Sequence, residues 1–262
     1  MRFLQSIIAR FPQSLKLFFL NSTVLYFCWS LFSNYSEQHN PKYDPDKTDP
    51  SYSQTGEDYA INKFLPESYG SYVDVGCGQP VHGSNTNFLY RRGWAGIVID
   101  PILNNERLFK SLRPRDTFKR FLIGTKGSKS TFYEIIPYVY STTNSNFAER
   151  WVSEGRKIKS ETLLDNESLG DFHPFAQPLD PTFLSIDIEG KELECLESIN
   201  FEDYSPRVIC IEEWQESIRD GNSEIRKYLR SKKYQLMDRT SLSSIFVHDD
   251  YLGIHPEYLT KI

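Results

Sequence analysis

Residues 71–100, SYVDVGCGQPVHGSNTNFLYRRGWAGIVID, read as a strand, a turn with two glycines, a helix and a second strand that ends in an acid. The second run, GIVID at 96–100, is apolar on both faces, as a parallel strand covered by helices on both sides must be. A βαβ unit of this kind is the start of an open α/β sheet, and such sheets take ligands at the carboxyl ends of their strands. The turn DVGCGQP and Asp100 therefore sit where chemistry is expected.

Gly76 and Gly78 lie where a backbone must approach a ligand closely or take a positive φ. A dinucleotide fingerprint needs a third glycine at position 81, where Val81 stands. What remains, apolar-Asp-apolar-Gly-x-Gly, is the turn that S-adenosylmethionine enzymes use. A carboxylate at Asp74 suits a cofactor with an amino group and a positive sulfonium, and would repel a dinucleotide phosphate. The plainer reading is a tight βα turn with no ligand. Asp100 could accept hydrogen bonds from both hydroxyls of a ribose, or cap the segment that follows it.

The rest of the chain suits one α/β domain with an extension, at 262 residues. The net charge of -5 gives no sign of the basic face that nucleic-acid binding needs. Cys28, Cys77, Cys195 and Cys210 lie far apart. They have neither a zinc spacing nor a disulfide framework, and are expected as buried free thiols. Residues 17–36 carry no charge and follow Arg2, Arg10 and Lys16, and their length is near that of a bilayer span. Asn21, Ser22, Thr23, Ser30, Ser33 and Asn34 dilute their hydrophobicity. No small-residue cleavage site stands out, which disfavours a cleaved signal peptide. Residues 1–36 are thus expected to form a hydrophobic helix, either a membrane anchor or a helix lying on the membrane or the domain. Sequons at Asn21, Asn34 and Asn166 do not decide between these. A cytosolic cofactor makes a cytoplasmic-facing domain the simpler arrangement. Residues 37–52 form a linker, Pro- and Asp-rich at 40–50, and the domain is expected over 53–262.

Within that domain, residues 53–65 look helical, with Thr55 and Asp58 as a capping box. Helices follow at 87–92, where Gly93 stops the run, and at 104–112, before Pro114. Strands are expected at 72–75, 96–100, 117–124, 131–136, 183–188 and 207–211, with helices at 191–199 and 222–232. Strands 234–237 and 244–248 are joined by a short connection and should form an antiparallel hairpin at one edge. Residues 137–180 are long and weakly periodic, as a substrate-facing loop or lid would be. The alternation of strands and helices predicts a doubly wound, mostly parallel sheet.

SQTGED at 53–58, YVDVGCGQPVHGSNTNFLYRRGWAGIVIDP at 72–101 and FLSIDIEGKELECLESINFEDYSPRVICIEE at 183–213 resemble the FkbM family of S-adenosylmethionine-dependent methyltransferases. The resemblance covers residues 53–248 in order, and the pairing of SNT…LY..GW.GI.IDP with DIEG.E…L is specific to it. It implies the class I methyltransferase (Rossmann-like) fold, a three-layer sandwich around a mostly parallel seven-stranded sheet with an antiparallel edge hairpin. It also implies methyl transfer from S-adenosyl-L-methionine, commonly to an oxygen of a sugar or related small molecule.

By that resemblance, Asp74, Gly76 and Gly78 line the methionine end of the cofactor, Asp100 takes the ribose, and Gln54 and Glu57 belong to a motif that folds over it. Ser84, Asn85 and Thr86 open the helix after the glycine turn and could cap it, bind cofactor, or do both. The third strand ends in Ile123-Gly124, where many class I enzymes carry an acid near the adenine, so adenine recognition must rest on another group. Asp187 and Glu189 end the fourth strand, beside the expected methyl group. Either could serve as the base that takes the acceptor's proton, hold a substrate hydroxyl, or cap the helix at Lys191. Glu212 and Glu213 form a second acidic pair, and Glu213 joins Asp187 and Glu189 as a catalytic candidate. Four carboxylates could bind a divalent cation, but no histidine joins them in sequence, and no metal is expected. His82 and His173 lie in loops and are expected at the surface. Two readings compete with a methyltransferase: a membrane-associated binding module that has kept the fold without turnover, and an NAD-dependent oxidoreductase, which Val81 disfavours.

Overall fold

The computed structural model describes residues 51–171, 176–213 and 223–261. The hydrophobic helix expected at 1–36, residues 37–50 of the linker expected at 37–52, Cys28, His173 and position 222 lie outside the described residues, while Ser51 and Tyr52 at the end of that linker are buried in the domain. Among the described residues, no helix is long and apolar enough to cross a membrane.

Seven strands form the main sheet. They are β1 (Ser71–Val75), β2 (Ala95–Ile99), β3 (Thr117–Lys119), β7 (Thr182–Ile186), β8 (Val208–Glu212), β9 (Tyr234–Arg239) and β10 (Ser243–His248). Their order is β3-β2-β1-β7-β8-β10-β9. The pairs from β3 through β8 are parallel, and β10 runs antiparallel to both β8 and β9. This is the class I methyltransferase arrangement, with the antiparallel hairpin at one edge.

Helices α1 (Glu57–Asn62), α2 (Asn87–Arg91), α3 (Leu103–Leu112) and α7 (Asp249–Ile254) belong to one layer. Their Ile61, Leu89, Phe109 and Leu252 pack with Tyr72, Val98, Phe183 and Val208 of the sheet. Helices α5 (Glu192–Glu197) and α6 (Glu224–Ser231) belong to the other, where Leu196 and Leu229 pack with Val73, Val75, Leu184 and Ile209. Successive strand residues thus fill opposite layers, which is why these runs are apolar on both faces. Cys77, Cys195 and Cys210 are buried free thiols.

The second sheet is where structure and sequence expectation part. The strand expected at 117–124 is two short strands. β3 stays in the main sheet, while β4 (Leu122–Ile123) pairs with β6 (Lys157–Glu167). β6 also runs antiparallel to β5 (Lys129–Ile136). The segment expected as a loop therefore carries an 11-residue strand and a helix, α4 (Ser145–Ser153). β6 leaves most of its side chains in solvent, so it has few apolar residues to betray it. The Thr55–Asp58 capping box is not formed either. Gly56 is the N-cap with no side-chain cap, and Asp58 turns back to accept from Ser51 Oγ at 2.8 Å and Tyr52 N at 2.7 Å. Asn166, the one described sequon, is buried, and its Nδ2 donates to Ser128 and Ser130.

Candidate functional site

The glycine turn follows β1 directly. Gly76 and Gly78 take φ of 76° and 55°, a region that a side chain resists. Gly76 N and Cys77 N both donate to Ile99 O, at 2.9 and 3.2 Å, so the turn is tied to the end of β2. Tyr138, in the short 3-10 turn after β5, closes over Gly78.

Asp100 stands just past β2 and faces the same space. Its Oδ1 accepts from Ile102 N at 2.7 Å and Asn105 Nδ2 at 3.0 Å, and its Oδ2 accepts from Gly78 N at 3.2 Å. Burial pushes its carboxyl up to about 7, against the pull of these hydrogen bonds. Three of its roughly four acceptor positions are taken, so Oδ2 has room for one more donor.

At the end of β7 the chain turns sharply. Glu189 has φ 56° and Gly190 φ 102°. Glu192 holds this turn by accepting from Gly190 N at 2.9 Å and Ile188 N at 3.3 Å, so neither Asp187 nor Glu189 is spent on capping the next helix. Thr142 Oγ1 donates to Glu189 O at 2.9 Å, joining the wall that follows β5 to the same turn.

Asp187, Glu189 and Glu212 bring one carboxylate oxygen each to within 4.8 Å of the others. Burial raises all three above the ordinary carboxylate range, and nearby carboxylates, Glu192 foremost for Asp187 and Asp187 for Glu189 and Glu212, raise them further. Asp187 and Glu212 share a side-chain hydrogen bond, which two ionised carboxylates cannot do. Buried Oε2 atoms of Glu189 and Glu212 have no protein partner. Such a group can hold and exchange a proton near neutral pH, and its spacing would also admit a small cation.

One cavity connects these parts. Gln54, Gly76, Gly78, Asp100, Asp187 and Glu189 line it. Glu57, Asp74, Asn85 and Glu213 do not, for identifiable reasons. Asp74 is the strand neighbour that shares the face of Tyr72, so it points under the turn. It accepts from Thr86 Oγ1 at 2.6 Å and from Ser185, whose hydroxyl accepts from Asn85 Nδ2 at 3.2 Å. Glu57 accepts from Thr55 N at 2.8 Å and Thr240 Oγ1 at 2.7 Å, tying α1 to the β9–β10 turn. Burial pushes its pKa up, but these bonds outweigh that and hold it below the ordinary value. Glu213 is one residue past Glu212 and faces the other way, where Arg226 Nε at 3.1 Å and the hydroxyls of Ser223 and Ser244 enclose it.

Three contributors were not evident in the sequence. His82, expected at the surface, lines the cavity. Ile102, Leu122 and Phe132 give it an apolar end beyond Asp100. Arg113 does not touch the cavity but supports it. Its fully buried guanidinium pairs with Asp116 at 2.7 Å and donates to Pro80 O, Ser84 Oγ, Thr86 Oγ1 and Tyr72 OH. An arginine at a helix end, followed by a proline, carries no local sign of that role.

Among curated proteins, none matches the chain. The profile of the methyltransferase FkbM domain matches residues 74–236, more than half of the chain. That span runs from Asp74 on β1 to Leu236 on β9 and takes in the glycine turn, Asp100 and the three clustered carboxylates. On that match and the seven-stranded sheet, the chain belongs to the FkbM methyltransferase family.

Proposed function

We propose that the protein transfers a methyl group from S-adenosylmethionine to a hydroxyl of a sugar, glycan or related small molecule. The observation that carries this reading is the single cavity in which the Gly76–Gly78 turn and Asp100 meet Asp187 and Glu189. A nucleoside fits the residues present: Asp100 Oδ2 has an acceptor position for a ribose hydroxyl, and Ile102, Leu122 and Phe132 offer an apolar bed for a base. Gln54 closes the cavity from the segment before α1. Val81 is fully buried in the fold rather than left as an open glycine approach to a pyrophosphate, which supports a sulfonium nucleoside over a dinucleotide.

When bound, the donor supplies an activated methyl group. The chain's own task is to place an oxygen in line with it and remove that oxygen's proton. Asp187 and Glu189 stand at the strand end for this, and the raised proton affinity of the carboxylate group suits a base that works near neutral pH. Ser141, Thr142, Thr143 and His82 also line the cavity, which favours an acceptor rich in hydroxyls.

The test is transfer of a labelled methyl group to a panel of glycans and small polyols by the full chain and by Glu189→Gln. The reading expects label in an ether methyl, with the variant depressed about a hundredfold, the scale of a lost general base. Label found only on nitrogen or sulfur, or equal turnover by the variant, would overturn the oxygen-and-base reading.

A further inference from the structure

The strand that ends near a bound adenine carries no acid here: β3 gives way to Arg120 and Phe121. A second cleft lies beyond the apolar end of the main cavity and shares Pro101, Ile102 and Phe132 with it. Asn104, in the first turn of α3, lines this cleft. It is 4 % exposed, and its Oδ1 is buried without a hydrogen-bond partner. Glu134, Lys159, Ser160 and Arg120 of the cleft are already engaged. Lys159 pairs with Glu134 at 2.7 Å, and Arg120 Nε donates to Pro101 O at 3.0 Å. Asn105, the next residue, gives its Nδ2 to Asp100, and its Oδ1 is also buried without a hydrogen-bond partner, but Asn105 lines neither the cleft nor the main cavity.

An orphaned buried acceptor is costly, and a ligand that brings a donor relieves it. We propose that Asn104 reads the base of the methyl donor, its Oδ1 accepting a hydrogen bond from the exocyclic amino group of adenine. This rests on the S-adenosylmethionine reading above. With the ribose at Asp100, a ring lying against Ile102 and Phe132 presents its far edge to the cleft where Asn104 stands. An asparagine amide is a good match for that edge, because adenine offers a donor there beside a ring acceptor. A site built to bond an amino group rejects the analogue that lacks it, since the acceptor is then left buried and unpaired.

The experiment compares the dissociation constants of S-adenosylhomocysteine and of its analogue with hydrogen in place of the 6-amino group. Wild type is expected to prefer the amino compound about tenfold. In Asn104→Ala the preference falls to about one, through weaker binding of the amino compound alone. Asn104→Asp keeps an acceptor and retains the preference, which separates lost recognition from a damaged fold. A preference unchanged in Asn104→Ala, or absent in wild type that binds S-adenosylhomocysteine, would overturn the assignment alone. If wild type fails to bind S-adenosylhomocysteine at all, the cofactor reading falls and this assignment falls with it.

Discussion

A Cβ placed on Gly76 would lie 1.7 Å from the carbonyl oxygen of Asp187. The glycine turn and the strand end that bears the carboxylates are thus in backbone contact. Asp187 N donates to Val75 O at 3.0 Å, and Val75 pairs with Ile186 in the β1–β7 register. The glycine turn and the carboxylates are thus set by two adjacent parallel strands.

Gly76→Ala is therefore expected to cost about 2–5 kcal/mol, from a clash with backbone and a strained φ together. Gly127 separates the two causes. It has φ 77° but open space around it, so Gly127→Ala should cost only about 1 kcal/mol. Denaturant unfolding of both variants checks this. Equal costs would show that the Gly76–Asp187 contact is not what makes the glycine necessary.

Asp100→Asn should change the pH dependence of stability. Burial raises the folded carboxyl from 3.8 to about 7, so the folded state keeps a proton that the unfolded chain releases. Wild-type stability then falls as pH rises from about 4 to 7, and the loss is constant above that. The amide variant lacks this loss. Relative to wild type it should gain stability between pH 4 and 8, whatever the fixed cost of an amide against Gly78 N. Melting curves across that range test it, and a parallel pair of pH profiles would contradict the assignment.

The clustered carboxylates predict an acid limb in the rate profile. Burial and neighbouring charges push Asp187 up to about 7 and Glu189 up to about 8, so turnover should rise with pH through that range as the base loses its proton. Glu212→Leu removes the hydrogen bond that pulls Asp187 down and should move the limb to higher pH. A limb that stays in place would mean that Glu212 is not coupled to the base.

Arg113→Met leaves Asp116 buried without its cation and frees the turn at Pro80 and Ser84. Breaking a buried pair of this kind costs about 3–5 kcal/mol. A melting point within about 2 °C of wild type would show the Arg113 network to be dispensable.

Much of this was legible in the sequence, and the misses share a cause. Strands β1, β2, β7 and β8 were evident because they are apolar on both faces, and Asp100 because it directly ends such a run. Asp74 looked equivalent, but it lies within β1 on the face of Tyr72, and a period of two turns it away from the cavity. Glu212 and Glu213 differ by one position, and the same alternation gives the first to the cavity side and the second to α6. Register along a strand is a tertiary fact that residue type does not carry. β6 escaped because a solvent-facing strand needs few apolar residues, and Arg113 because its partners are far away in sequence.

The central claim is that this cavity binds a sulfonium nucleoside through Asp100. Calorimetric titration of S-adenosylhomocysteine into the full chain tests it most directly. The account predicts one-to-one binding, weakened about tenfold by Asp100→Ala, the scale of a lost hydrogen bond to a charged group, and no heat with NAD. No binding of S-adenosylhomocysteine, or affinity untouched by Asp100→Ala, would contradict it.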